Sequence, residues 1–325
     1  MVTDDDKARD RRLLCAANLS YDIAHPHLVR ERSDGEKRSS EFYRAGCGLQ
    51  TFQSFIAGWE FADAALLGVN DDEIILAFRG TQPLDWSDEG DFLETLADWI
   101  HDFDADLVED LTAGPADWRL MPGHIHRGFL ISLKGHARHT GLWLQIKPAL
   151  AALIDRFPGK PICITGHSKG GALTHLAAMQ CTALIDPDDI YVCTFAAPRV
   201  GDHVFAEAYA RSIPRSYRYE YHLDVVPLLP PSHGFYATIA NHPAAKLFTM
   251  PERGYAAVGA ARTVSDLDAY AHTHTPVLNC LARVIKGEGR LVIEYHSSFV
   301  GHHYARAVGL DDAIGIRPDL SGTSR

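Results

Sequence analysis

Short apolar runs rich in β-branched and aromatic residues alternate along this chain with longer stretches of helical spacing. Strands are predicted at Ala64–Val69, Ile74–Phe78, Pro161–Thr165, Ile190–Phe195 and Tyr217–Tyr221. Helices are predicted at about 9–19, 128–138, 142–157, 170–184 and 203–212, with Leu144, Leu150, Leu153 and Ile154 recurring as a buried face would require. Strands that alternate with helices imply an α/β protein: a mostly parallel central sheet with helices on both faces. Several of the strands are apolar throughout rather than at every second position, as befits strands covered on both sides.

Between these elements lie less regular stretches. Residues 82–97 (QPLDWSDEGDFLETL and the residue after it) are acidic, carry Trp86, Phe92 and Leu93, and follow a strand directly, so they read as a lid-like loop over the sheet. Residues 231–288 hold Pro231, Gly234, Pro243 and Pro251 ahead of a helix near 276–286, which predicts a small cap or irregular excursion, and the tail after Asp311 reads as frayed. Neither feature divides the chain, and residues 1–325 read as one domain.

Composition narrows the choice of partners. A formal charge of −11 argues against a nucleic-acid partner and against electrostatic capture by anionic lipid, both of which need clustered Lys and Arg. A neutral small molecule fits better; no pattern here specifies an oligomer. The acidic start Met1-Val-Thr-Asp-Asp-Asp-Lys7 lacks the apolar core of a signal peptide, and no apolar run reaches the ~18 residues of a membrane span, so a cytoplasmic protein is expected. Cys15, Cys47, Cys163, Cys181, Cys193 and Cys280 are scattered without metal-type spacing, and disulfides are not implied. His272 and His274 have no carboxylate or thiol at ligand spacing, which argues against zinc.

The segment Pro161–Ala178 concentrates the chemistry. It reads G-x-S-x-G (Gly166-His-Ser-Lys-Gly170) between an apolar strand and a helix, with Gly171 following. At such a sharp strand-to-helix turn a serine projects its Oγ from the end of the sheet, and the flanking positions have no room for side chains. The free N–H groups and positive dipole end of the helix then face the place where an oxyanion would form. A serine that merely caps a helix is the bland alternative, and the strand, the helix and the extra glycine together favour Ser168 as a nucleophile.

Further segments resemble the class 3 (fungal-type) lipases, in that family's order. They are Ile75–Thr81 ending in F-R-G-T, Asp98–Asp104 beginning D-W-I, His126-Arg-Gly-Phe129, Thr194–Gly201 (TFAAPRVG) and Asp224–Pro230 (DVVPLLP). The resemblance spans roughly residues 10–310 and implies an α/β-hydrolase fold, a carboxylic ester of a lipid as substrate, and no cofactor. It also implies transient contact with a lipid interface, with 82–97 as the lid.

On that resemblance the triad acid is Asp224; Asp202 is a rival that could instead cap the helix near 203. The oxyanion donors are the main-chain N–H of Lys169 and Thr81, the latter with its hydroxyl as a possible second donor. Lys169 stands where the family commonly has leucine, which places an ammonium beside the pocket. Arg79, Asp98, His126 and Arg199 read as groups that hold loops. The base must follow Asp224, and His296, His302 and His303 compete. His296 is favoured because Tyr295-His-Ser-Ser298 resembles the family's H-S ahead of a tyrosine-bearing helix, which Ser297 or Ser298 would cap. Tyr304 stands farther from His296 than the family's spacing, so His302 stays open. Two other readings also remain: a catalytically silent hydrolase-fold ligand-binding module, and a phospholipase or amidase on the same triad.

Overall fold

The computed structural model describes residues 3–23, 34–58, 63–81, 106–110, 120–136, 139–242, 253–264, 295–299 and 302–310. The lid-like stretch 82–97, Asp98, the helix near 276–286, His272, His274 and Cys280 lie outside the described residues, as does the tail after Asp311.

In chain order come α1 (Asp4–Leu19), α2 (Asp34–Cys47), β1 (Phe52–Ala57), β2 (Asp63–Val69) and β3 (Ile74–Phe78). Next are β4 (Leu107–Glu109), β5 (His124–His126), α3 (Arg127–Lys134), β6 (Gly135–His136), β7 (His139–Thr140) and α4 (Leu142–Arg156). The second half adds β8 (Ile162–His167), α5 (Lys169–Cys181), β9 (Ile190–Phe195), α6 (His203–Ser212), β10 (Ser216–Tyr221), α7 (His233–Ile239), β11 (Ala260–Val264) and α8 (His303–Ala307). The central sheet runs β1-β2-β3-β8-β9-β10-β11. From β3 onward every pairing is parallel, while β1, β2 and β3 pair antiparallel.

Alternate residues of the inner strands feed opposite cores. Ile74, Leu76 and Phe78 of β3 join Ile162 and Ile164 of β8 in one cluster with Leu133, Trp143, Ile146 and Leu173. Ile75, Ala77 and Cys163 point the other way, into a cluster with Leu13, Leu14, Tyr43 and Tyr304. Both faces are therefore apolar, which explains the unbroken apolar strands.

Three readings of the sequence are corrected. On α4 Leu150 is buried and Leu153 and Ile154 pack against the core as their spacing predicts, whereas Leu144 is 51% exposed and Leu142, Trp143 and Ile146 take the inward positions instead. Part of the expected excursion at 231–288 is a strand of the main sheet: β11 pairs in register with β10, from Tyr217 beside Ala260 to Tyr221 beside Val264. The helix carrying Tyr304 begins at His303 with His302 at its cap position, not at Ser297 or Ser298. The elements α2, β1 and α7 were not foreseen in the sequence.

Two buried polar ties anchor segments to this frame. Lys134 Nζ contacts Asp110 Oδ2 at 2.5 Å with neither side chain exposed, and the same carboxylate oxygen accepts the Met121 N–H, fixing residues 106–110 against α3. On the opposite face of the sheet, Asp10 of α1 accepts the hydroxyls of Tyr191 and Tyr219, each at 2.7 Å, and pairs with Arg262.

Candidate active site

The turn from β8 into α5 is built by close approach of backbones. A Cβ on Gly166 would stand 2.3 Å from the Gly170 carbonyl, and one on Gly170 would stand 2.2 Å from the Phe78 carbonyl oxygen. Only hydrogen fits in these places, so glycine is required on steric grounds. Between them Ser168 adopts φ 57°, a left-handed conformation rare for a residue with a side chain. Its N–H donates to the Phe195 carbonyl and its own carbonyl accepts the Gly171 N–H, so β9 and the helix hold the strained turn. Strain of this kind costs about 1–3 kcal/mol and persists where the surroundings over-determine it. Ser168 caps no N–H with its side chain, in contrast to Thr3, Asp202 and Ser232 at other helix starts.

β3 ends beside this turn. A Cβ on Gly80 would lie 2.8 Å from the His167 carbonyl oxygen and 3.1 Å from Ser168 Cβ, so the chain passes the elbow closely just before Thr81, itself half-buried. The N–H of Lys169 opens α5 on the other side.

Asp224 and His296 are brought together. His296 Nδ1 lies 2.9 Å from Asp224 Oδ2, and since a carboxylate only accepts, Nδ1 carries the proton and Nε2 is left as the basic nitrogen. The other carboxylate oxygen accepts the Val226 N–H at 3.0 Å, and Tyr304 donates its hydroxyl to Oδ2 at 2.7 Å. Asp224 is 3% and His296 7% exposed, which makes the pair more consequential than an ion pair in water. The rivals fall elsewhere. His302 occupies the cap position of α8, and His303 stacks on Tyr221 with ring centroids 3.8 Å apart. Asp202 caps α6 by accepting the Phe205 N–H at 2.9 Å and also meets His124 Nδ1 at 3.1 Å.

The loop carrying His296 is held from beneath by groups the sequence did not signal. His167 Nε2 lies 2.7 Å from the His296 carbonyl oxygen, so it donates, and Nδ1 at 2.8 Å then accepts from the Tyr21 hydroxyl. The Gly80 main chain hydrogen-bonds the Tyr21 oxygen in turn. Burial, with the neighbouring His296 adding to it, holds the His167 pKa well below the ordinary histidine range, consistent with this neutral tautomer. Two residues on, Ser298 donates to Asn18 Oδ1 at 2.6 Å while Asn18 Nδ2 donates to the Ser298 carbonyl at 3.0 Å. Helix α1 and the turn after it therefore supply Asn18 and Tyr21 to steady the histidine loop. Pairings of this kind leave no periodic trace in a sequence.

Of the described groups expected to hold loops, Arg79 and His126 are buried and Arg199 is half-buried, and all three are engaged. Arg79 donates to the Ile23 carbonyl at 2.6 Å, and Arg199 to that of Pro230 at 3.4 Å, burial bringing the Arg199 pKa down to about 10. His126 accepts the Phe129 N–H and stacks on that ring; burial first, then the Lys169 ammonium, pushes its pKa down to about 3. The Lys169 ammonium itself does not stand loose beside the pocket but pairs with Asp63 at 2.6 Å. Among the described residues no group of three or more His, Cys, Asp or Glu could hold a metal ion.

A left-handed serine in a strand-to-helix turn at the carboxyl end of a parallel strand, with a buried Asp–His couple from later segments whose histidine ring lies 4.6 Å from that of His167, is the arrangement of an α/β-hydrolase. The model of the lipase (class 3) family matches residues 75–234, the stretch that carries β3, the elbow and Asp224. Lipase A of Sodiomyces alcalophilus is 35% identical over 127 residues, covering 35% of this chain and 29% of that protein. Secreted mono- and diacylglycerol lipase 1 of Fusarium solani is 33% identical over 134 residues, covering 41% of this chain and 35% of that protein. The matched stretches thus span about a third of the length of these curated relatives. Among solved structures, the Lip2 lipase of Yarrowia lipolytica aligns with a TM-score of 0.57 at 20% identity over 81% of this chain and 80% of its own, which shows a shared fold. The expectation of a cytoplasmic protein does not stand: relatives from Fusarium solani and Gibberella zeae are secreted lipases, and an acidic N-terminal stretch does not decide the compartment.

Proposed function

We propose that this protein is a serine hydrolase that cleaves carboxylic esters of lipids, acylglycerols foremost, with Ser168 as nucleophile, His296 as base and Asp224 as the acid that orients it. The observation that carries the reading is the buried His296–Asp224 couple, whose histidine contacts His167, the residue before the strained Ser168. The Asp224 carboxylate holds the Nδ1 proton, so His296 presents Nε2 to accept the Ser168 proton as Oγ attacks the ester carbonyl. The N–H groups of Thr81 and Lys169 stabilise the oxyanion. His296 then passes the proton to the leaving alkoxide, and water, activated by the same nitrogen, hydrolyses the acyl-enzyme. Every step uses groups of this chain and calls on no cofactor.

The lipid class rests on the family and on relatives named as mono- and diacylglycerol lipases. A phospholipid is the second reading, favoured by the match to phospholipase A1-II 3 of Oryza sativa at 28% identity over 191 residues. Contact with a lipid interface and a lid role for 82–97 follow from the same reading. The test is turnover of a short-chain nitrophenyl ester, an emulsified triacylglycerol and a phosphatidylcholine dispersion by the protein and its Ser168→Ala variant. Turnover of the two acylester substrates, lost by orders of magnitude in the variant, is expected. A folded protein inactive on all three would leave a silent binding module, and turnover confined to the phospholipid would select the second reading.

A further inference from the structure

Lys169 follows the nucleophile and opens α5, and its ammonium reaches Asp63 Oδ1 at 2.6 Å. The pair is well covered, with side-chain exposures of 12% and 5%. Asp63 is the first residue of β2, and the antiparallel register of β2 with β3, Ala65 beside Phe78, carries on through the Arg79 N–H to the Ala64 carbonyl at 2.9 Å. Asp63 therefore stands across from Gly80, one residue short of Thr81. It also faces the guanidinium of Arg79, whose pKa burial lowers and Asp63 pulls back up. A single carboxylate on the edge of β2 thus lies between one cation from each of the two segments that bear N–H groups toward Ser168: Arg79 of the β3 end and Lys169 of the elbow.

We propose that Asp63 is a positioning residue for the oxyanion pocket: by holding the Lys169 ammonium it fastens the start of α5 to the β2–β3 edge and fixes the spacing between the Lys169 and Thr81 N–H donors. This rests on the hydrolase reading above. An apolar residue after the nucleophile would pack here without a charged partner, whereas the Lys169 ammonium is held 2.6 Å from one carboxylate on β2, so its side chain ties the first residue of α5 to that strand. Donors of this kind act mainly in the transition state, where a displacement of about 1 Å can cost about 10²-fold in rate. The pair touches no reacting atom, so its effect is expected in kcat rather than in substrate binding.

The experiment compares Asp63→Asn, Lys169→Met, the double variant and Lys169→Arg on a soluble short-chain nitrophenyl ester, with thermal unfolding of each and Ser168→Ala alongside. Expected is a fall in kcat of about tenfold or more in both single variants, with KM moved less than about twofold. The double variant, in which neither position carries a charge, regains the part of the thermal stability that Asp63→Asn loses through Lys169, while Arg79 still lacks the carboxylate it faces and kcat stays low. Lys169→Arg recovers part of the turnover lost in Lys169→Met. A kcat that returns together with stability in the double variant would show a merely structural pair and overturn the proposal. So would wild-type kcat in the single variants while Ser168→Ala is dead. An active Ser168→Ala enzyme would instead overturn the hydrolase reading, and the positioning role with it.

Discussion

Tyr304 donates its hydroxyl to the same carboxylate oxygen of Asp224 that accepts the His296 Nδ1 proton, at 2.7 Å against 2.9 Å. The tyrosine oxygen also accepts the Tyr221 N–H at 3.0 Å, so helix α8, the end of β10 and the Asp–His couple meet at one buried point. Tyr304→Phe removes one donor from the carboxylate and strands a buried N–H. A loss of about 1–3 kcal/mol of stability is expected from the stranded group. A fall in kcat should accompany it, because Asp224 is left with fewer contacts to fix it. Denaturant unfolding together with steady-state kinetics checks both, and unchanged stability would show that the Tyr221 N–H had found another partner.

The choice of base among three histidines has a direct assay. His296→Ala is expected to reduce turnover by about 10³-fold or more, as loss of a triad member does. His302→Ala and His303→Ala should retain most of the activity, since one stands at the cap position of α8 without a side-chain capping bond and the other stacks on Tyr221. A His296→Ala enzyme near full rate would transfer the role.

At Thr81 the expected signature is kinetic. Thr81→Val keeps the main-chain N–H and removes the hydroxyl; a drop in kcat of about tenfold or more with little change in KM would identify the hydroxyl as a second oxyanion donor, since such donors act in the transition state. A change confined to KM would assign Thr81 to substrate binding instead.

Away from the site, Asp110→Ala leaves the Lys134 ammonium buried without its carboxylate partner. Both side chains of this pair are wholly unexposed, and removing one member of a buried pair typically costs about 3–5 kcal/mol. Chemical denaturation should show a loss of that order, and a loss below about 1 kcal/mol would mean that residues 106–110 hold their place without the pair.

Acid should destabilise the protein through its buried histidines. His126 and His175 have pKa values lowered to about 3, both chiefly by burial, and that of His167 is lowered well below its ordinary range. Their folded-state values lie beneath the unfolded value of about 6.5, so below that pH the unfolded chain binds protons that the native one refuses. Stability is then complete above about pH 6.5 and falls as the pH drops toward 3, by about 1.4 kcal/mol per pH unit for each such histidine. His175 bonds Tyr209 and lies outside the proposed machinery, so His175→Gln should flatten the slope of unfolding free energy between pH 6 and 4 by one proton's worth. An unaltered slope would mean that His175 takes up no extra proton on unfolding.

What the sequence determined by itself is what local rules govern. The strands β3 and β9 carry the bounds read from their apolar runs, because burial on both faces leaves a continuous signal, and α6 carries the bounds read from its spacing. The turn at Ser168 was legible because close backbone approach admits only glycine at Gly166 and Gly170, a constraint written in adjacent positions. What only the tertiary structure decided depends on residues far apart in the chain. Which histidine meets Asp224 is settled by how the 295–299 segment lies against α1, held by Asn18 and by His167 with Tyr21. On α4 the later turns face the core as Leu150, Leu153 and Ile154 predict, but in the first turn docking placed Trp143 inward and Leu144 outward, a choice between two adjacent apolar residues that spacing does not make. The partner of the Lys169 ammonium belongs to the same group. A lysine after the nucleophile suggests a charge facing the pocket, and only the sheet order, which sets β2 beside β3 and β3 beside the elbow, brings Asp63 within reach to take it.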